Sequence, residues 1–335
     1  MAEALHVFED PVTLMTGMWP TPLIKLRWIS RNGAEAWAKL EFYNPFSKST
    51  KDRPVWFMIE DALRRGVLKE GGAFYEATSG NVGIAMASLA NVLGLKFRAY
   101  LPKHSPRATE VVLKVLGAEV VRTDYECISE EMVSKVKEEA MRDGAVNLNQ
   151  YVNDCNFLAH LNHTAKELDE QLRAVGRSPP KAIIAGVGTS GHSAAIAKYF
   201  RDKYGGDAPA FIAVVPKERE SIPGLRPLST KPKWVSVIKP DRVVEVSTED
   251  AVAGAVLVAR TNGLFVGLSS GAVVAAYEVV REELGAGTYA LIFPDDGMKY
   301  VEIFDAWLRH RPDLLRRYAD ILASGVCRED GGGNG

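Results

Sequence analysis

Apolar positions recur along this chain with two periods. Val55, Ile59 and Leu63 share a helical face, as do Val82, Met86, Leu89 and Leu93; Val111, Val112 and Val115 mark a third helix, and Met132, Val136 and Ala140 a fourth. Short apolar runs separate them and predict strands over 96–101, 119–122 and 145–148. A second series follows, with strands over 182–185, 210–215, 243–246 and 289–293, a helix over 190–204, and helices starting at Thr248 and Ser270. Strands alternating with helices in this way predict an α/β chain with mainly parallel sheets, and the two series predict two sheets. Residues 172–181, with Gly176, Ser178, Pro179 and Pro180, are expected to form a surface connection. Residues 216–241, rich in proline and charge, are a candidate mobile substrate loop.

Composition narrows the classes. The 335 residues suit about two domains, and 47% hydrophobic residues suffice for a large core. With 41 Lys+Arg against 42 Asp+Glu there is no global field to hold nucleic acid, so small-molecule chemistry leads. Cys127, Cys155 and Cys327 form no CxxC pair, which gives neither a disulfide framework nor a metal site, and fits a reducing, cytoplasmic setting. Glu3, Glu9 and Asp10 stand where a signal peptide would be basic and then apolar. The longest uncharged stretch, 77–95, opens on Thr78, Ser79, Gly80 and Asn81, which reads as a polar loop feeding a buried helix and not as a membrane span. The glycine-rich end, 327–335, is expected to be a flexible tail.

Three small-residue turns each close a strand and open a helix, the place where open α/β sheets bind ligands. They are Thr78-Ser79-Gly80-Asn81-Val82-Gly83, Gly186-Val187-Gly188-Thr189-Ser190-Gly191 and Gly267-Leu268-Ser269-Ser270-Gly271. In the second, glycines admit an anion to the backbone and two hydroxyls add donors at a helix N-terminus, a natural phosphate cup, although such turns also serve packing alone. Its spacing satisfies the bare dinucleotide pattern G-x-G-x-x-G. Asp202 and Asp207, at a helix end and in a loop, are poorly placed to hold a ribose, so a nicotinamide enzyme is the lesser reading.

A further motif lies upstream, where Asn44-Pro45-Phe46-Ser47-Lys48-Ser49-Thr50-Lys51-Asp52-Arg53 sets a lysine just before an amphipathic helix. By position alone that lysine reads as a solvated charge. The run Pro20-Thr21-Pro22-Leu23, this loop, the three turns and Pro294-Asp295-Asp296-Gly297 occur in the order found in the pyridoxal-phosphate (PLP) enzymes of the cysteine synthase and cystathionine β-synthase family, which the chain resembles over nearly its whole length. The resemblance implies fold type II, two open twisted sheets flanked by helices as in tryptophan synthase β. The smaller domain would span 41–155, and 1–40 with 156–326 would form the larger, PLP-anchoring domain.

By the same resemblance Lys51 forms the Schiff base with PLP and moves the substrate Cα proton. Asn81 would bond the cofactor's 3-hydroxyl, while Thr78, Ser79 and Gln150 would grip the substrate carboxylate. Gly188, Thr189, Ser190, Gly191 and His192 would hold the cofactor phosphate. Ser269, or its neighbour Ser270, would face the pyridine nitrogen. Two departures stand out. The loop before Lys51 is one residue longer than the common form, leaving Ser47 or Ser49 as the family serine. His192 stands where relatives usually have threonine, and it reads equally as a helix-start histidine bonded to backbone.

Ile222-Pro223-Gly224-Leu225-Arg226 resembles the segment of the branch that accepts O-phosphoserine. A phosphate dianion needs a cation, and a guanidinium can meet it bidentately, whereas the bland alternative is a solvent-facing arginine in a basic loop. The implied activity is a transferase of cysteine biosynthesis that makes L-cysteine from O-phospho-L-serine and sulfide, acting as a homodimer. O-acetylserine sulfhydrylase, cystathionine β-synthase and a PLP-binding scaffold are the alternatives. Free sulfide and a sulfur-carrier protein both suit as donors.

Overall fold

A computed structural model describes residues 6–326; Cys327 and the expected tail lie outside the described residues. The chain divides into two compact units, one of residues up to 21, 41–167 and 189–196, the other of 22–40, 168–188 and 197 onward. Among the described residues there are ten strands: β1 (Leu23–Lys25), β2 (Ala34–Leu40), β3 (Ala73–Ala77), β4 (Lys96–Leu101), β5 (Glu119–Arg122), β6 (Val146–Asn147), β7 (Ala182–Gly186), β8 (Ala210–Pro216), β9 (Arg242–Val246) and β10 (Gly287–Phe293).

The first unit carries a parallel sheet in the order β5-β4-β3-β6. Alternation along β3 divides its core in two. Phe74 packs with Val55, Met58 and Ile59 of the helix Asp52–Arg64 and with the helix Asn81–Val92, while Tyr75 and Ala77 meet Met132, Val136 and Ala140 of the helix Glu130–Arg142. Burial of such a side chain contributes about 1.5–3 kcal/mol, which holds these helices against the sheet more firmly than propensity could. Ser129 caps the last of them by accepting from the Met132 amide at 3.2 Å. The helix Arg107–Val115 forms where Val111, Val112 and Val115 mark it, yet those valines are exposed at 49%, 39% and 80%, and Leu113 is the residue it buries.

The second unit holds a six-stranded sheet, β1-β2-β10-β7-β8-β9, parallel except for β1. Its strands β7, β8 and β10 are nearly continuous apolar runs, as strands covered on both faces must be. The helices Thr248–Asn262 and Leu268–Leu284 cross where Gly254 and Gly271 meet. A Cβ on Gly271 would lie 1.9 Å from the Ala251 carbonyl oxygen, so only glycine permits the approach.

Some expectations need correction. The expected surface connection begins inside a helix, Ala165–Ala174, and Leu172 is fully buried. The reason is its apolar stripe, with Ala165, Leu168 and Leu172 all buried on one face. The helix expected from Ser270 starts at Leu268, so Ser269 and Ser270 lie in its first turn. The long 216–241 segment buries Ile222, Trp234 and Ile238 and holds a short helix, Val235–Ile238, so it is not without structure of its own. No helix among the described residues is long and apolar enough to cross a membrane.

Candidate active site

Each sheet reverses its strand order once, and several of the sequence motifs fall at these reversals; the Gly267–Gly271 turn does not, since it follows the helix Thr248–Asn262 and an isolated bridge at Val266 and closes no strand. In the first unit the order steps outward from β3 to β4 to β5, and β6 returns to the other side of β3. The segments leaving β3 and β6 carry Thr78–Ser79–Gly80–Asn81 and Asn149–Gln150. In the second, β7, β8 and β9 step outward and β10 lies on the other side of β7. Here the segments leaving β7 and β10 carry the Gly188-Thr189-Ser190-Gly191 run and Pro294-Asp295-Asp296-Gly297. Diverging connections at such a reversal open a crevice at the carboxyl ends of the strands.

Lys51 is half-buried at the N-terminal boundary of the helix Asp52–Arg64. The loop before it is tightly bonded. The Phe46 and Ser47 amides donate to Asp52 at 2.8 and 2.9 Å, the Ser47 and Ser49 hydroxyls meet at 2.7 Å, and the Lys51 amide donates to Ser49 Oγ at 3.1 Å. Within this loop Lys48 lies in the left-handed region, with a φ of 51°. Ser49 therefore holds the Lys51 backbone and Ser47 the start of the helix. Two residues on, Arg53 is fully buried between Glu41 and Glu167, with its Nε 2.7 Å from Glu41 and its Nη1 2.7 Å from Glu167. Burial opposes its charge, but the two carboxylates more than offset that and hold the guanidinium above its ordinary value. Glu41 also accepts from Thr21 at 2.6 Å, and its carbonyl from Asn44 at 2.7 Å, so the Pro20-Thr21-Pro22 and Asn44-Pro45 motifs both anchor the helix that bears Lys51.

Thr78 is buried, and its Oγ1 accepts from the Gly83 amide at 3.0 Å and the Gly80 amide at 3.4 Å, closing the turn onto the helix Asn81–Val92. Ser79 is exposed and Asn81 half-buried at the helix start. Gln150 is buried, with its Nε2 3.3 Å from the Ala77 carbonyl. Beneath this turn lies Glu76, a fully buried carboxyl that accepts from the Asn149 amide at 2.9 Å and the Gln150 amide at 3.4 Å. Burial pushes it up to about 8 against the pull of those amides. Asn156 bonds both the Gln150 carbonyl, at 2.9 Å, and Thr189 Oγ1, at 3.1 Å.

The Gly191–Tyr204 helix opens after Ser190, buried and held at φ 71°. His192 is buried, with its Nε2 3.3 Å from Ser193 Oγ and its ring 5.9 Å, edge-on, from that of His160. Burial and then the Lys51 charge push His192 down to about 3. Burial, His192 and Lys51 in turn hold His160 well below the ordinary imidazole range. Both rings are therefore neutral and each can donate one N–H. The His160 side chain bonds Thr164 through Nδ1 at 2.9 Å, and its buried Nε2 has no partner.

In the second unit the 222–226 segment folds onto the Gly186-Val187-Gly188 turn. The Arg226 amide donates to the Val187 carbonyl at 2.8 Å, and a Cβ on Gly188 would meet the Gly224 carbonyl oxygen at 2.5 Å. Gly224, at φ 86°, brings the same segment beside Ser269, whose Oγ would lie 3.9 Å from a Cβ there. Ser269 and Ser270 are buried, and Ser270 Oγ has no partner. The Gly267 amide donates to the Asp295 carbonyl at 3.0 Å, joining the last two motifs.

In the first unit Thr189, Ser190, Gly191 and His192 offer hydroxyls, helix-start amides and a neutral imidazole with no carboxylate among them, which suits a cofactor phosphate. In the second unit Gly188 leaves no room for a side chain, and the buried Ser270 hydroxyl has no partner. Among the described residues no cluster of His, Cys, Asp or Glu could hold a metal ion.

The model of the family described as "Pyridoxal-phosphate dependent enzyme" matches residues 14–295. The chain belongs to this family. Its architecture is fold type II of the PLP enzymes, and PLP is its cofactor. It is 35% identical to a cysteine synthase of Aquifex aeolicus over 276 residues, covering 80% of this chain and 82% of the relative. It is 32% identical to cysteine synthase B of Escherichia coli over 293 residues, covering 86% and 94%. The structure of an O-ureido-L-serine synthase superposes with a TM-score of 0.81 at 26% identity, covering 90% of this chain and 99% of that one. The protein is thus a PLP-dependent enzyme related to the cysteine synthases that carry out β-replacement. Sequence reasoning placed Arg53 in a motif without giving it a role, and passed over Glu41, Glu76 and Asn156. Glu76 had a readable signal, a carboxylate inside an otherwise apolar strand, whereas Asn156 had none.

Proposed function

We propose that this enzyme converts O-phospho-L-serine and sulfide into L-cysteine and phosphate. The Cβ–O bond of the substrate breaks and a Cβ–S bond forms, with no net oxidation. When bound, PLP supplies an electron sink for negative charge at the substrate Cα. Lys51 would anchor the cofactor, take the Cα proton on its Nζ and return it after sulfur has added. Asn81 would orient the cofactor ring through its 3-hydroxyl; Thr78, Ser79 and Gln150 would bind the substrate carboxylate; Gly188, Thr189, Ser190, Gly191 and His192 would hold the cofactor phosphate. Thr78 keeps its hydroxyl proton for this task, because its oxygen already accepts from two amides. Ser269, or its neighbour Ser270, would face the pyridine nitrogen. A hydroxyl does not keep that nitrogen protonated, which disfavours long-lived carbanions and favours rapid β-elimination.

The observation that carries the choice of leaving group is the docking of the 222–226 segment on the Gly186-Val187-Gly188 turn, which sets the Arg226 backbone 2.8 Å from Val187, one residue from the cup. A guanidinium leaving from that point can meet a phosphate dianion bidentately. We read the protein as a cytoplasmic homodimer that uses free sulfide, with a sulfur-carrier protein as the alternative donor. Purified enzyme is to be mixed with O-phosphoserine, O-acetylserine and serine in turn, with sulfide present, and cysteine and phosphate measured. Arg226→Ala should lose about 10- to 100-fold in kcat/KM for O-phosphoserine and change little with O-acetylserine. Equal loss with both donors would reject the phosphate role. Preference for O-acetylserine, or for homocysteine when it replaces sulfide in a parallel run, would establish the alternative activities, and a protein that holds PLP but turns over none of these would be the scaffold.

A further inference from the structure

Asn156 belongs to none of the recognised motifs, yet it touches two of them. It sits in the short helix Asp154–Ala159, is 4% exposed, and spends both Nδ2 protons inside the first unit, on the Gln150 carbonyl at 2.9 Å and on Thr189 Oγ1 at 3.1 Å. Its Oδ1 lies against Gly191, so closely that a Cβ there would stand 2.4 Å away. One amide thus donates both its protons, to the Gln150 turn on one side and to Thr189 on the other, while its oxygen packs against Gly191. The turn has little freedom of its own. Asn149 is in the left-handed region at φ 50°, its amide and that of Gln150 are fixed on buried Glu76, and the Gln150 side chain is fixed on the Ala77 carbonyl. Loss of the Asn156 amide would leave the buried Gln150 carbonyl unmatched, which costs more than the bond itself contributes, and would free the half-buried Thr189 hydroxyl.

We propose that Asn156 is a positioning residue that ties the substrate-carboxylate turn at Gln150 to the cofactor-phosphate cup at Thr189 and Gly191, so that each site holds its ligand well only while the other is in register. The assignment rests on the roles given above to Gln150 and Thr189. Any such coupling is reciprocal, acting on cofactor affinity and on substrate affinity alike. Asn156→Asp serves best as the variant, since it keeps the size and Oδ1 and removes both donors; Asn156→Ala is the second.

The test has two arms. In the first, apoprotein is titrated with PLP and its Kd read from the visible absorbance. Both variants should weaken PLP binding about tenfold, as should Thr189→Val, and the double variant Asn156→Ala/Thr189→Val should be no weaker than the worse single one within about threefold. In the second, with PLP saturating, KM for the amino-acid substrate should rise about tenfold while kcat stays within about threefold, again without multiplying the effect of Gln150→Ala. An unchanged PLP Kd, an unchanged KM, or effects that multiply with those of Thr189 or Gln150 would overturn the link. A variant that merely lowers the melting temperature, with both constants intact, would also reject it. If wild-type enzyme acts on no 3-substituted L-serine, the proposed function fails and the PLP arm still decides the cofactor half of this inference.

Discussion

Arg53 offers the sharpest test of how the site is held. Its guanidinium makes four hydrogen bonds of 2.7–3.1 Å to Glu41 and Glu167, with no exposure of its own side chain or that of Glu41 and 11% for that of Glu167. Arg53→Met keeps an unbranched apolar stem and removes the charge, leaving two carboxylates facing each other away from water. Breaking a buried pair from one side costs about 3–5 kcal/mol. That is a large share of the roughly 5–15 kcal/mol by which domains are stable. Removing the whole cluster is different, because a buried ion network repays its own desolvation only narrowly. Arg53→Met/Glu41→Gln/Glu167→Met should therefore recover most of the loss. Urea unfolding followed by far-ultraviolet circular dichroism gives both differences. A loss below about 1 kcal/mol in the single variant, or a triple variant no more stable than the single, would refute the reasoning. Because the same helix starts at Lys51, the single variant should also hold PLP less tightly.

Other tests follow from the same geometry. Glu76 is pushed up to about 8 by burial, so between about pH 4.5 and 8 the unfolded chain releases a proton that the folded chain keeps; stability from this group is complete below that window and lost as pH rises through it. Wild type should thus decline by a few kcal/mol relative to Glu76→Gln between pH 5 and 8.5 in urea melts, and parallel curves would refute the assignment. His192 shifts the other way, down to about 3, so its contribution is complete above the ordinary value near 6.5 and lost on acidification towards 3. His192→Asn should flatten that acid limb. Gly188→Ala would push a methyl to within 2.5 Å of a backbone oxygen that cannot yield, costing about 1–3 kcal/mol and weakening PLP binding, whereas Gly206→Ala, with nothing within 4 Å, should be silent in both assays.

Much of the architecture was legible because periodicity reports burial directly. Met132, Val136 and Ala140 are all buried on the helix they predict, and the apolar runs over 182–185 and 289–293 became central parallel strands. β2 was passed over, since Ala34, Ala36 and Ala38 alternate with Glu35, Trp37 and Lys39 in a pattern too small-sided to stand out. Only its parallel pairing with β10 made it a central strand. Val111, Val112 and Val115 predicted a helix correctly but not which residue it buries, Leu113, because apolarity does not say whether a neighbour exists to cover it.

The same division runs through the site. The sequence by itself determined the chemistry on offer: a lysine at a helix start, hydroxyls and glycines in three turns after strands, an arginine in a loop, and the order in which these occur. That order is local and survives in one dimension. What only the tertiary structure decided is which groups are paired. It set a buried arginine between two glutamates 12 and 114 residues away, neutralised His160 and His192 by burying them beside Lys51, and bonded one asparagine amide to partners 6 and 33 residues distant. Pairing and desolvation depend on what surrounds a group in space, and no spacing along the chain records that.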